Sequence, residues 1–250
     1  MASAAAIARL ENRSVEVVGE RTEFSSTWLL PDGTIRKAMS SGQVWVPTGR
    51  GDGSAVEDWQ PVDLRLRKLA DGSLVPTSAP LDIRLSGGST APGWVDLAAF
   101  SDGVGRLHRL QWKGALPEPR IEGGRAVYPR VTAGVDLVVD VSRAGVQYNF
   151  VLLEGPATRD KATEVRALLR GLKVRISVDG AVAKRRGGQV VFFDGSREVS
   201  AVGQPEVWDS EADTVREHPV SSPGRRCPVK SQLGRCRGCL PGLSMMMESI

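Results

Sequence analysis

An all-β, antiparallel, sandwich-like fold with at most one or two short helices is what this sequence predicts, and three observations carry that expectation. The pair Asp-Gly occurs six times, at Asp32-Gly33, Asp52-Gly53, Asp71-Gly72, Asp102-Gly103, Asp179-Gly180 and Asp194-Gly195. Each marks a turn, because glycine tolerates positive φ and an aspartate can accept a bond from the nearby backbone. Between these turns apolar and polar residues alternate, the period-two signature of half-buried strands. Segments with helical spacing are few.

Taken in order, the alanine-rich start (3–11) is a helix candidate, followed by strands near 22–30, 34–40 and 44–46. In "VDLRLRKL", Val62, Leu64 and Leu66 share a face opposite Asp63, Arg65 and Arg67. Further strands are expected near 81–86, 94–100, 104–112, 126–131 and 135–141. In "VQYNFVL", Val146, Tyr148, Phe150 and Leu152 point one way, with Gln147 and Asn149 opposite. "KATEVRALLRGL" sets Val165, Leu168, Leu169 and Leu172 at helical spacing. It runs straight into "LKVRISV", where Leu172, Val174, Ile176 and Val178 alternate with polar residues, so a short crossover helix and a strand lead-in both remain open. Strands near 190–193, 196–202 and 205–208 complete the pattern. No period of 20–50 residues repeats, which argues against a solenoid or propeller.

These elements suggest a partly helical or disordered segment over 1–20 and a β-sandwich-like unit over 21–155. A second β unit, or a continuation of the same sandwich, follows over 156–217, the joint lying near 154–162. Residues 218–250 read as a disordered basic tail that holds all three cysteines.

The chain's basicity belongs to that tail. Removing its five cations and Glu248 from 33 basic and 29 acidic residues leaves 28 of each in 1–217. A neutral body of mixed charges has no phosphate-tracking stripe, so no nucleic-acid partner is expected. No run approaches the ~18 apolar residues of a membrane span.

His218, Cys227, Cys236 and Cys239 could in principle form a zinc set, but structural zinc sites bring ligands in two close pairs and only Cys236 and Cys239 form one. No metal site is assigned. There is no Walker loop, no GxGxxG and no Gly-x-Ser-x-Gly elbow, hence no cofactor and no nucleophile motif. "GRGDGS" contains Arg50-Gly51-Asp52, and a glycine-rich turn accounts for it. Asp136 and Asp140 share a strand face about 13 Å apart at ~3.3 Å per residue, too far for a glycosidic acid/base pair, and read as solvated strand charges. Partners from different strands remain open. His108 has the strand parity of Leu110 and Trp112, which makes it a structural histidine at the edge of the core. No catalytic residue is assigned, and the protein is read as non-enzymatic.

Two of the six tryptophans permit a binding site. Trp45 lies out of phase with Val44 and Val46, and Trp59 out of phase with Val62, Leu64 and Leu66. Either is an outward platform for a sugar ring or partner, or packs against a second sheet.

"RTEFSSTWLLPDGTIRKAMSSGQVWV" (21–46), Trp59-x-Pro61-Val62-Asp63-x-x-Leu66, "YPRVTAGVDLVVDVSRAGVQYNFVL" (128–152) and "GQPEVWDS" (203–210) occur in one order. In this they resemble the β-rich N-terminal region of large secreted actinobacterial proteins that continue into LamG-like jellyroll, DNRLRE-type or RHS/YD-repeat modules. The resemblance covers roughly 15–210. It implies an extracellular or cell-surface scaffold whose partners are downstream modules or wall polysaccharide. A carbohydrate-binding module and a glycoside hydrolase-like enzyme are the alternatives. The resemblance also implies a signal upstream of residue 1 and an out-of-frame reading from about 218, making the chain a fragment.

Overall fold

The computed structural model describes residues 2–153, 163, 167–168, 170–203, 206–207 and 242–249. The chain is all-β and antiparallel, and it divides into two compact units: Met1–Leu64 with Thr77–Pro80, and Arg65–Pro76 with Leu81–Ile250.

The first unit opens with α1 (Ala2–Leu10), whose Ala8 is fully buried. A three-stranded sheet follows in the order β1 (Val15–Glu16), β2 (Ser25–Leu29), β3 (Ile35–Met39). β2 is buried along most of its length because it is central, whereas every residue of β3 is exposed. A separate two-stranded ladder pairs β4 (Trp45–Pro47) with β5 (Trp59–Pro61). A proline ends each of these strands, where its missing N–H removes no bond between the two, and the Trp45 amide of β4 donates to the Glu23 carbonyl at 3.1 Å. The segment 1–20 thus contains a helix, a paired strand and a 3-10 turn over Val18–Glu20.

The second unit contains two larger sheets. One runs in the order β15 (Val174–Val178), β10 (Leu107–Lys113), β9 (Trp94–Ser101), β8 (Asp82–Leu85), β7 (Leu74–Ser78), β6 (Asp63–Lys68). β6 and β7 carry the chain between the units. The other begins β11 (Arg120–Glu122), β12 (Arg125–Thr132), β13 (Val135–Ser142), β14 (Gly145–Leu152). It continues through β20 (Gly242–Ser249) to β18 (Arg197–Val202), β17 (Gln189–Asp194) and β16 (Val182–Arg186), while β19 (Glu206–Val207) also pairs with β20.

The two sheets share a core, as the alternation requires. Trp112 of β10 meets Phe150 of β14 with ring centroids 5.9 Å apart, and Tyr148 meets Phe150 edge-on at 5.9 Å. Tyr128 of β12 donates its hydroxyl to the Ser86 carbonyl at 2.7 Å. Val135, Leu137 and Val139 are fully buried.

Where sequence and structure differ, the reasons are local. β7 (LVPTS) contains Pro76, which disguises a strand, and β16 (VAKRR) is an exposed edge whose one large apolar residue gives no alternation. The expected joint near 154–162 lies outside the described residues, but the strands after it extend both sheets, β15 pairing with β10. Of the helix candidate before β15, residues 163, 167, 168, 170 and 171 are helical. Residues 242–249, inside the segment read as a disordered tail, form β20, while 218–241 lie outside the described residues. Main-chain pairing to a strand edge does not require alternation, so sequence pattern gave no sign of it.

The Asp-Gly turns follow the predicted chemistry. Asp32, Asp52, Asp71 and Asp102 each accept the amide two residues on, from Thr34, Ser54, Ser73 and Val104, at 2.8–3.0 Å. In the Leu30–Thr34 and Leu69–Ser73 turns the glycine takes φ near +86°. In the turn over 102–106 that role passes from Gly103 to Gly105.

Candidate functional site

Polar side chains of the second unit converge where the β9–β10 turn reaches the end of β17. Asp102, just after β9, accepts amides from Val104 and Arg106 and a guanidinium bond from Arg106 Nη1 at 3.1 Å. Arg106 Nη2 donates to Asp194 Oδ2 at 2.8 Å. Burial works against ionisation of Asp102, yet the Arg106 and Val104 amides and the Arg106 guanidinium hold its carboxyl below the usual carboxylate range. A turn carboxylate and a strand-end carboxylate thus share one cation.

His108 lies beside this group. It is fully buried, flanked on β10 by Phe100 of β9 and Val178 of β15. Its ring stacks on Phe100, centroids 4.6 Å apart and planes 14° apart. Nε2 approaches Asp102 Oδ2 at 3.4 Å, while Nδ1 has no hydrogen-bond partner among the described residues. Burial lowers the His108 pKa despite the neighbouring Asp102, so the ring is neutral near pH 7. A neutral imidazole without a path to water or a bonded hydroxyl is poorly placed as a general base. The reading of His108 as a core histidine matches its complete burial.

Asp136 differs from the expected solvated charge. It is buried and accepts the Arg130 amide at 2.7 Å. Arg130 sits at φ +49°, in an irregular stretch of β12 that begins at Pro129. A proline cannot donate to the ladder, so the strand bulges and Asp136 satisfies the displaced amide. Asp140 is half-buried and paired with Arg125 at 2.7 Å.

A shallow depression of about 270 Å³ lies over β7–β9, lined by Asp71, Ser73, Arg84, Ser86 and Asp96 among others. Its charges are already paired: Arg84 with Asp71 at 2.8 Å, and Asp96 with Gln111 at 2.8 Å.

In the first unit the register sets Trp45 opposite Pro61 and Trp59 opposite Pro47. Opposed residues share a face, so both tryptophans lie on one face of the β4–β5 ladder. Both are half-buried. Trp45 donates its indole N–H to Ser26 Oγ at 2.8 Å, and the buried Arg21 guanidinium lies 3.8 Å from its ring centroid. Glu16 holds Arg21 by two bonds, 3.1 and 2.7 Å. One face of Trp45 is thus covered by a fixed cation, a stabilising cation–π contact.

Trp59 donates its indole N–H to the Gly53 carbonyl at 2.9 Å, closing the "GRGDGS" loop. Buried Asp58 supports that loop from beneath, accepting the Gly53 and Ala55 amides at 3.0 and 3.1 Å. Sequence reasoning found both tryptophans but neither Arg21, Glu16 nor Asp58, whose roles depend on long-range packing that carries no motif. The cysteines and His218 lie outside the described residues. No cluster able to hold a metal occurs among the described residues, and no helix there is long and apolar enough to cross a membrane.

No family model, no curated protein and no solved structure matches this chain.

Proposed function

We propose that this chain is a non-enzymatic β module that serves as scaffold within a larger extracellular or cell-surface protein. The observation that supports it most is the Asp102–Arg106–Asp194 bridge. Acid/base hydrolysis between two carboxylates needs one of them protonated, with its pKa raised. A guanidinium bonded to both does the opposite at Asp102, whose carboxyl it helps hold below the usual carboxylate range. The same side chains fasten the β9–β10 turn to the end of β17, a structural task. Incubation with cell-wall polysaccharide, followed by counting new reducing ends, tests this: the scaffold reading expects none above the buffer blank.

A second reading is favoured by the shared face of Trp45 and Trp59. Indoles fixed by hydrogen bonds on one ladder face are pre-oriented for sugar rings. Co-sedimentation with insoluble wall polysaccharide discriminates. Binding that falls at least tenfold in both Trp45→Ala and Trp59→Ala supports a carbohydrate-binding module, and absence of wild-type binding leaves the scaffold reading in place.

A further inference from the structure

β3 is an edge strand with specific chemistry. Among the described residues it pairs only with β2, and all five of its residues are exposed, Ile35 at 56% and Met39 at 79%. The bonds from Leu30 N to Thr34 O and from Ser40 N to Phe24 O fix the phase of the β2–β3 ladder. In an antiparallel ladder bonded and non-bonded pairs alternate. The residues opposite Leu29, Thr27 and Ser25 are Ile35, Lys37 and Met39. These three are therefore the non-bonded positions, and their N–H and C=O groups point outward along the free edge. Their β2 partners Leu29, Thr27 and Ser25 are buried, so Ile35, Lys37 and Met39 form the exposed outer row of that face.

The charge on this edge selects its occupant. Neither Arg36 nor Lys37 has a carboxylate partner among the described residues. A second copy pairing antiparallel along all five residues would set Lys37 opposite Lys37, and like charges directly opposed are destabilising. An edge lysine also discourages indiscriminate pairing. A segment with an acidic residue opposite Lys37 and apolar residues two positions to either side would meet Ile35 and Met39 while neutralising the cation.

We infer that β3 is an acceptor edge for strand addition by an extended acidic segment of a partner polypeptide, with Lys37 reading the acid and Ile35 and Met39 the flanking apolar side chains. This surface is separate from the tryptophan face and does not depend on the scaffold reading.

The test is an amide NMR titration of the full chain with the soluble decapeptide Val-Thr-Glu-Thr-Val-Thr-Glu-Thr-Val-Thr, whose one face alternates valine and glutamate, against the same peptide with lysine in place of glutamate. The expected result is saturable shifts centred on the amides of Ile35, Lys37 and Met39 with the acidic peptide, and binding at least tenfold weaker with the basic one. Lys37→Glu should reverse that preference. Met39→Pro, which removes an outward donor and keeps the charge, should weaken the acidic peptide at least threefold. Equal affinity for both peptides, shifts elsewhere, no saturation at millimolar peptide, or concentration-dependent shifts of the same amides without peptide (a second copy on the edge) would each overturn the assignment.

Discussion

Arg106 donates to Asp194 at 2.8 Å and so joins the β9–β10 turn to the far end of β17. The same guanidinium holds Asp102, which in turn approaches His108. Replacing Arg106 with Met leaves Asp102 with its two amide donors but severs the tie to β17. The urea midpoint should fall, and by more than in Asp194→Asn, because Asp194 is half-exposed and its replacement can still accept a bond. An equal midpoint in all three proteins would show that the bridge contributes nothing.

His108 makes stability depend on mildly acidic pH. Its folded pKa lies below the ordinary 6.5 because the charged ring is disfavoured by burial. The unfolded chain therefore takes up a proton first. Stability is full above pH 6.5 and declines as pH falls from there through the folded value, at up to about 1.4 kcal/mol per pH unit. Asp102, whose folded pKa is lowered below 3.8, adds a further loss in the more acidic range. Urea unfolding at successive pH values should show the first slope in wild type, and a shallower one in His108→Leu.

Tyr128 is fully buried, and burial raises its pKa far above the ordinary 10.0, so its hydroxyl remains a donor to Ser86 O at all ordinary pH. Tyr128→Phe preserves the ring but leaves that carbonyl without its donor. A loss of about 1–2 kcal/mol is expected in chemical denaturation.

Gly87 follows Ser86, and a Cβ built there would fall 2.0 Å from the carbonyl oxygen of Gly72. The obstacle is backbone, which cannot swing aside as a side chain would. Gly87→Ala should cost about 1–3 kcal/mol through forced displacement of the turn after β8. Gly103→Ala, with nothing within 4 Å of its Cβ, is the control and should cost much less.

The legible part of this fold is the part governed by nearest-neighbour chemistry. Val146, Tyr148 and Phe150 alternate inward as the pattern predicts, and His108 keeps the parity of Leu110 and Trp112. Asp32, Asp52, Asp71 and Asp102 close their own turns because the acceptor and the amide are two residues apart. Asp136 escaped because its role follows from a bulge at Pro129 on another strand. The Arg21–Trp45 stack and the meeting of Asp102 with Asp194 escaped for the same reason. They join residues 24 and 92 positions apart, and no local pattern encodes such a meeting.

A structural role for the Asp102–Arg106–Asp194 group is the central claim. The most direct measurement is turnover of cell-wall polysaccharide by wild type, Asp102→Asn and Asp194→Asn, scored as new reducing ends on preparations whose urea midpoints are known. The account predicts no turnover by any of the three and a lowered midpoint for Asp102→Asn. Turnover by the wild type that disappears in either variant at unchanged stability would contradict it.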